Sequence, residues 1–184
     1  MKIMRCLIVL ASVLLFCSVL SRAQEQGPSS QSAEDSSTRI ETKFDTAKNE
    51  TTVGFKTLLV IDTKTEKLLV SAEATYATQA PKQHPEDVIF IISALNYAAY
   101  RYPDINKLTI TCDGKRLPEV VLLNLDKRSG GDYFVETLGT RLNYDVYLKM
   151  AKAKSVQLQF SETSFALRDE HLAMLGKLAD LLHL

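Results

Sequence analysis

The sequence predicts a mainly β fold with an α-helical C-terminus. The expected form is an antiparallel β-sandwich or strongly curved sheet, with one short helix near residues 143–153 and a C-terminal amphipathic helix near 169–183. Three observations predict it. Short runs rich in β-branched and aromatic residues recur between turn signals. Leu108 to Cys112 alternates cleanly, with Leu108, Ile110 and Cys112 on one face and Thr109 and Thr111 on the other. The final stretch switches to helical spacing, where Leu172, Leu175, Leu178, Ala179 and Leu182 form one stripe.

The elements follow in order. Arg39 to Asp45 reads as a first strand, closed by a turn at Ala47–Glu50. Thr51 to Ile61 and Lys67 to Tyr76 read as a hairpin joined by the polar run Asp62–Glu66. A loop holding Pro81 and Pro85 follows. Val88 to Leu95 is nearly all apolar, as expected of a central strand covered on both faces. Helix competes with strand over Ser93–Tyr100, because Ala94, Leu95, Ala98 and Ala99 suit either. Asp113-Gly114 is the strongest short hairpin signal in the chain. Val120–Leu125 and Tyr133–Leu138 read as strands joined by Ser129-Gly130-Gly131-Asp132. Asn143 is placed to N-cap a short helix running through Ala153, with Val146, Tyr147 and Met150 on its apolar side. Val156–Phe160 and Ser164–Leu167 read as a last hairpin. The helix from Asp169 follows, with Met174 and Leu181 off its main stripe. Most of its width must be buried on the chain's own sheet.

Residues 1–23 read as a secretory signal. Lys2 and Arg5 precede an apolar stretch from Cys6 to Leu20, and Ser21-Arg22-Ala23 offers small residues at the two positions a signal peptidase reads. A membrane-spanning helix needs about 20 apolar residues, and this run is shorter. Residues 24–38 contain no large apolar side chain and read as a flexible polar leader. Residues 39–184 are then one folded domain, long enough to bury about two thirds of its unfolded surface. The expected location is periplasmic or extracellular, with no transmembrane segment in the processed chain.

Charge and cysteine usage narrow the function. The chain carries 22 basic and 22 acidic side chains; without Lys2, Arg5 and Arg22 the balance is 19 to 22, or about −3. A dedicated nucleic-acid binder shows a basic surplus or stripe, so no nucleic-acid partner is expected. Of three cysteines, Cys6 and Cys17 lie in the signal, which leaves Cys112 without an intramolecular partner. Its neighbours Leu108 and Ile110 predict a buried, inert thiol, and Asp113 disfavours the thiolate.

No phosphate or dinucleotide cradle is present, nor H-E-x-x-H, C-x-x-C, an EF-hand loop, G-x-S-x-G or S-x-x-K. Three scattered histidines and one cysteine are thin material for zinc. No metal, cofactor or catalytic set is therefore expected. His171 and His183 read as polar edges of the last helix. Lys149, Lys152 and Lys154 read as a solvated helix end. Asn49-Glu50-Thr51 fits the N-glycosylation triplet.

The most suggestive patch is Asn96–Pro103, in which Tyr97, Tyr100, Arg101 and Tyr102 cluster at the end of an apolar strand. Tyrosine and arginine dominate interface hot spots, because they bring large area at low entropy cost. The plain alternative is that these tyrosines cap the core with their hydroxyls reaching water. The expectation drawn is an exported, non-catalytic module that contacts a protein or envelope component through Tyr97, Tyr100, Arg101 and Tyr102. The rival expectation is a small hydrolase or lyase in which His84 and acidic residues such as Glu73, Asp113, Glu119 or Glu136 converge in a cleft. A structural subunit that assembles through sheet edges is a third.

Overall fold

The computed structural model describes residues 40–183. The segments read as export signal (1–23) and polar leader (24–38) lie outside the described residues. Ten strands form one antiparallel sheet: β1 (Ile40–Asp45), β2 (Glu50–Asp62), β3 (Glu66–Tyr76), β4 (Asp87–Asn96), β5 (Ile105–Cys112), β6 (Lys115–Arg116), β7 (Val120–Gly130), β8 (Tyr133–Asn143), β9 (Val156–Phe160) and β10 (Thr163–Ala166). Helix α1 (Tyr144–Lys152) follows β8, and α2 (Asp169–Leu182) follows β10. The predicted class is observed, and each predicted strand is present; β7 and β8 run five residues past their expected ends, and the two-residue β6 is additional.

The spatial order is β1-β2-β3-β4-β8-β7-β5-β9-β10, with β6 paired to β5. The first four strands form a meander, after which the order breaks. The chain leaves β4, passes two strand positions and starts β5 on the far side. The β8-β7 hairpin later fills the gap. The segment from Tyr97 to Asp104 must therefore cross both intervening strands, a span on the order of 14 Å at about 4.8 Å per strand.

Alternation builds the core. Even-numbered residues of β3, β4 and β5 point inward, and the register aligns them across strands: Leu68 opposite Ala94, Val70 opposite Ile92, Phe90 opposite Thr140, Ile92 opposite Leu138. Leu108, Ile110, Leu122, Leu158 and Phe160 complete the same buried cluster. Burying each such side chain contributes about 1.5–3 kcal/mol. The sheet does not close: β1 and β10 are its two edges. The β5–β6 turn follows its sequence signal: Asp113 and Gly114 both take positive φ, 48° and 77°, as a type I′ turn requires.

The helices pack on each other, the C-terminal one also against β2 and the first against β8 and β4. The Asn143 side chain accepts from the Asp145 N–H, so it caps α1 as expected. Tyr144, Tyr147 and Met150 are the residues α1 buries, and the Tyr147 hydroxyl donates to the Leu175 carbonyl of α2 at 2.9 Å.

Three expectations need correction, and one choice between strand and helix is decided. The stripe of α2 begins at His171 and includes Met174, because 171, 174, 175, 178, 179 and 182 share one face. His171 is accordingly buried: its Nδ1 accepts from the Arg168 N–H, and its Nε2 donates to the Leu59 carbonyl of β2, both at 3.0 Å. It pins the start of α2 to the sheet rather than edging it. Strand β4 is fully buried on one face only; its odd-numbered residues are half-exposed, because no described element packs on the outer face. Ser93–Tyr100 is not helical. It stays extended to Asn96, where pairing with β3 and β8 outweighs helix propensity, and then bends.

Candidate functional site

The crossing segment Tyr97–Asp104 is held from below by two buried carboxylates. Glu136, on β8 opposite Ala94, is 0% exposed. Its Oε2 accepts the Arg101 backbone N–H at 2.7 Å and the Asn96 amide at 3.3 Å. Its Oε1 accepts the Tyr102 N–H at 3.1 Å and the Asn124 amide of β7 at 3.2 Å. Every partner is a donor, so the group that fits is the carboxylate anion. Glu66, the first residue of β3, accepts the Tyr102 hydroxyl at 2.5 Å and the Arg101 guanidinium at 2.7 Å. The Tyr102 hydroxyl also meets Thr163 of β10 at 3.0 Å. The Asn124 N–H donates to the Asp104 carbonyl at 2.8 Å, which closes the far end of the crossing. Buried carboxylates persist only when fully hydrogen-bonded, and such networks impose one conformation on what they hold.

The four residues singled out in the sequence divide between two environments. Tyr97 and Tyr100 are open to solvent, at 45% and 41% exposure. Arg101 is half-exposed and turned back onto Glu66. Tyr102 is 3% exposed and packs on Phe160, with ring centres 5.0 Å apart. Burial, then the bond to Glu66, raises its hydroxyl well above the usual phenol range. Tyr102 thus holds the turn from inside, and the outward surface consists of Tyr97, Tyr100 and the rim of Arg101. Tyr100 is fixed edge-on against Phe134 at 5.1 Å, with Lys127 Nζ 5.9 Å from its ring centre. Lys127 is itself held by Asp104 at 2.7 Å, which raises its ammonium above the usual lysine range.

Sequence reasoning did not find Glu66 and Glu136 in these roles. Glu66 lies in a polar run between two strands, and nothing local pairs Glu136 with a second carboxylate. The signal was alternation: Glu66 shares its parity with Leu68 and Val70, and Glu136 with Leu138 and Leu142. Both therefore face the core.

A second location gathers the residues of the enzyme expectation. A hollow of about 700 Å³ is lined by the loop after β3, including His84 and Glu86, by Asp87 at the start of β4 and by Arg141. His84 stacks on Tyr144, with centroids 4.7 Å apart and planes within 9°. Its Nδ1 lies 3.1 Å from the Pro85 carbonyl, an acceptor, so Nδ1 is the donor in this contact. Among the described residues no carboxylate bonds to the ring, and Asp87 instead faces Arg141 at 3.7 Å. Glu73, Asp113, Glu119 and Glu136 do not line this hollow. Beneath it, the hydroxyls of Tyr76 and Tyr144 are buried with no hydrogen-bond partner among the described residues. Burial, then the nearby Tyr144, pushes Tyr76 up to about 12.

Cys112 is buried, and burial, then Asp113, pushes its thiol up. Among the described residues, no group of three His, Cys, Asp or Glu is placed to hold a metal ion, and no helix is long and apolar enough to cross a membrane. Comparison of the chain with protein families, curated proteins and solved structures finds no match.

Proposed function

We propose that this chain is an exported interaction module, periplasmic or extracellular and without catalytic activity, that docks a protein partner through the rigid turn carrying Tyr97 and Tyr100. One observation carries the reading: an exposed aromatic turn is anchored by two buried carboxylates that take its backbone and side-chain donors together. A flexible loop loses about 0.5–1.5 kcal/mol per side chain ordered on binding, and a pre-ordered one avoids much of that loss. Rigid tyrosines beside cations are what hot spots are made of. Arg101 and Tyr102 belong to the anchorage more than to the contact. The export half of the proposal rests on the order of charge, apolar stretch and small-residue site in residues 1–23. A photo-crosslinking amino acid at Tyr100, introduced in the producing organism, tests the reading. A discrete protein adduct at position 100, absent when the probe replaces Lys82 in the other loop, is expected. No adduct at position 100, or equal labelling at both, argues against it.

The His84 hollow favours a second reading, a small-molecule or hydrolytic site. In its neutral form a backbone-oriented imidazole leaves Nε2 free as a general base. Its test is saturable ligand binding or turnover that His84→Gln abolishes at unchanged stability.

A further inference from the structure

The two open edges of the sheet, β1 and β10, differ. At β10 the core-facing ring of Phe165 is buried, at 8% exposure. At β1 the core face runs out uncovered. Ile40, Thr42 and Phe44 stand opposite the buried Phe55, Val53 and Thr51 of β2, so all three point to the core side. Ile40 is only partly buried, and Phe44 is 37% exposed. The outer face of the same strand carries Glu41 and Lys43. Glu41 takes Lys56 on Oε1 at 2.8 Å and Lys43 on Oε2 at 3.2 Å, and Lys43 itself is 77% exposed. Strand β1 pairs with β2 over six residues without a register shift, and it contains neither proline nor glycine. Among the described residues nothing pairs its outer edge. Proteins blunt such an edge with a bulge, a proline or a charge, lysine above all. Lys43 is the guard here, and Glu41 two residues before it cancels that guard against a second copy.

We infer that β1 pairs antiparallel with β1 of a second copy, on a two-fold axis through Thr42. The strand is self-complementary about that residue: Ile40, Glu41, Thr42, Lys43, Phe44 read apolar, acid, hydroxyl, base, apolar. In antiparallel strands related by a two-fold, residues opposite one another point to the same face. The axis on Thr42 sets Glu41 against Lys43 twice, Ile40 against Phe44 twice and Thr42 against its copy, and each of these is a favourable cross-strand pair. The neighbouring registers fail. An axis on Glu41 sets that carboxylate against its copy. An axis on Lys43 sets two ammonium groups together and puts Glu41 opposite Asp45, and like charges directly opposite are destabilising. Charge therefore selects one register. That register also carries the core face from one sheet into the next, because Phe44 of each protomer covers Ile40 of the other. The contact is small. Five residues at about 3.4 Å each span about 17 Å of edge. This falls well short of the roughly 800 Å² per partner of a standard interface, so the dimer is weak and concentration-dependent, with main-chain hydrogen bonds as its chief attraction.

Sedimentation velocity of the protein as its host processes it, from about 10 μM to about 1 mM, tests the inference. Wild type should shift from monomer toward dimer across that range. Glu41→Lys sets lysine against lysine across the axis, and Lys43→Glu sets glutamate against glutamate. Each variant alone should dimerise roughly tenfold or more weakly than wild type. An equimolar mixture of the two should recover the dimer, because every lysine then meets a glutamate of the other chain. Both positions lie on the edge strand outside the core, and circular dichroism should show both variants folded. Amide exchange along β1 should slow as the wild-type concentration rises. A wild-type protein that stays monomeric throughout overturns the inference. So do single variants that dimerise as wild type does, or a mixture that associates no better than its components.

Discussion

Replacing Glu136 with glutamine changes one oxygen of a buried carboxylate to an NH2 and tests the anchorage of the aromatic turn. On the Oε2 side the new donor meets the Arg101 N–H and the Asn96 amide; on the Oε1 side it meets the Tyr102 N–H and the Asn124 amide. Either asparagine can turn its own oxygen toward the glutamine, and the Asn124 Oδ1 is buried without a partner and available to do so. A backbone N–H has no such freedom. One main-chain donor is therefore left buried without an acceptor, which costs about 1–3 kcal/mol. The remaining bonds lose their charge assistance, which adds about 1–2 kcal/mol. The sum is about 3 kcal/mol, and at about 3 °C per kcal/mol in a domain of this size the melting midpoint falls by about 10 °C. Thermal unfolding by circular dichroism reads that loss. Amide hydrogen exchange locates it, since protection at Arg101 and Tyr102 should fall further than protection in β9 or β10. A midpoint within about 2 °C of wild type, with both amides still protected, refutes the reasoning.

Three further outcomes follow from particular contacts. His171 is buried as the neutral ring; burial foremost lowers its folded pKa below 6.5, against the partial opposition of its bond to Leu59. The unfolded chain therefore binds this proton more readily than the folded one, so its contribution is fully present above pH 6.5 and is lost as pH falls toward the lower folded value. Between pH 7.5 and 5.5 the wild-type melting temperature should drop more than that of His171→Gln; equal slopes would remove His171 as the cause. Cys112 should react with a thiol reagent slowly in native protein and rapidly after denaturation, and fast native labelling would contradict its burial. Gly54→Ala would push a Cβ to 2.7 Å from Glu73 Cβ and 2.8 Å from the Ala72 carbonyl. Two strand backbones must then part, at about 1–3 kcal/mol, and an unchanged denaturation midpoint would show that β2 and β3 shift freely there.

The strands were legible in the sequence because their signals are local. Alternation at Leu108–Cys112, the Asp113-Gly114 turn and the Asn143 cap each act within a few residues, and each is found where the pattern put it. Strand order was not legible. The insertion of β8 beside β4 depends on Val88 and Ile92 meeting Leu142 and Leu138 some fifty residues later, and nothing in either segment names the other. The candidate site shares that limit. A six-residue cluster of tyrosine and arginine marked the turn, but no period governs a crossing loop, so Tyr97 and Tyr102 looked alike. Only the approach of Glu66 and Glu136 from separate strands sends one outward and the other into the core.

The most direct test of the interaction reading is affinity capture from the exported and envelope fractions of the producing organism, with wild-type protein and a Tyr97→Ala/Tyr100→Ala variant as paired baits. Arg101 is left intact, because removing it would strip Glu66 of its charged partner. Tyr100→Ala removes the edge contact with Phe134, worth about 0.5–1.5 kcal/mol, so the variant should stay folded and melt only a few degrees below the wild type, while loss of two hot-spot tyrosines should weaken binding by roughly a hundredfold. One abundant protein retained by wild type and lost by the folded variant is the predicted result. Equal retention by both baits, or no specific protein on either, would contradict a module that works through this turn.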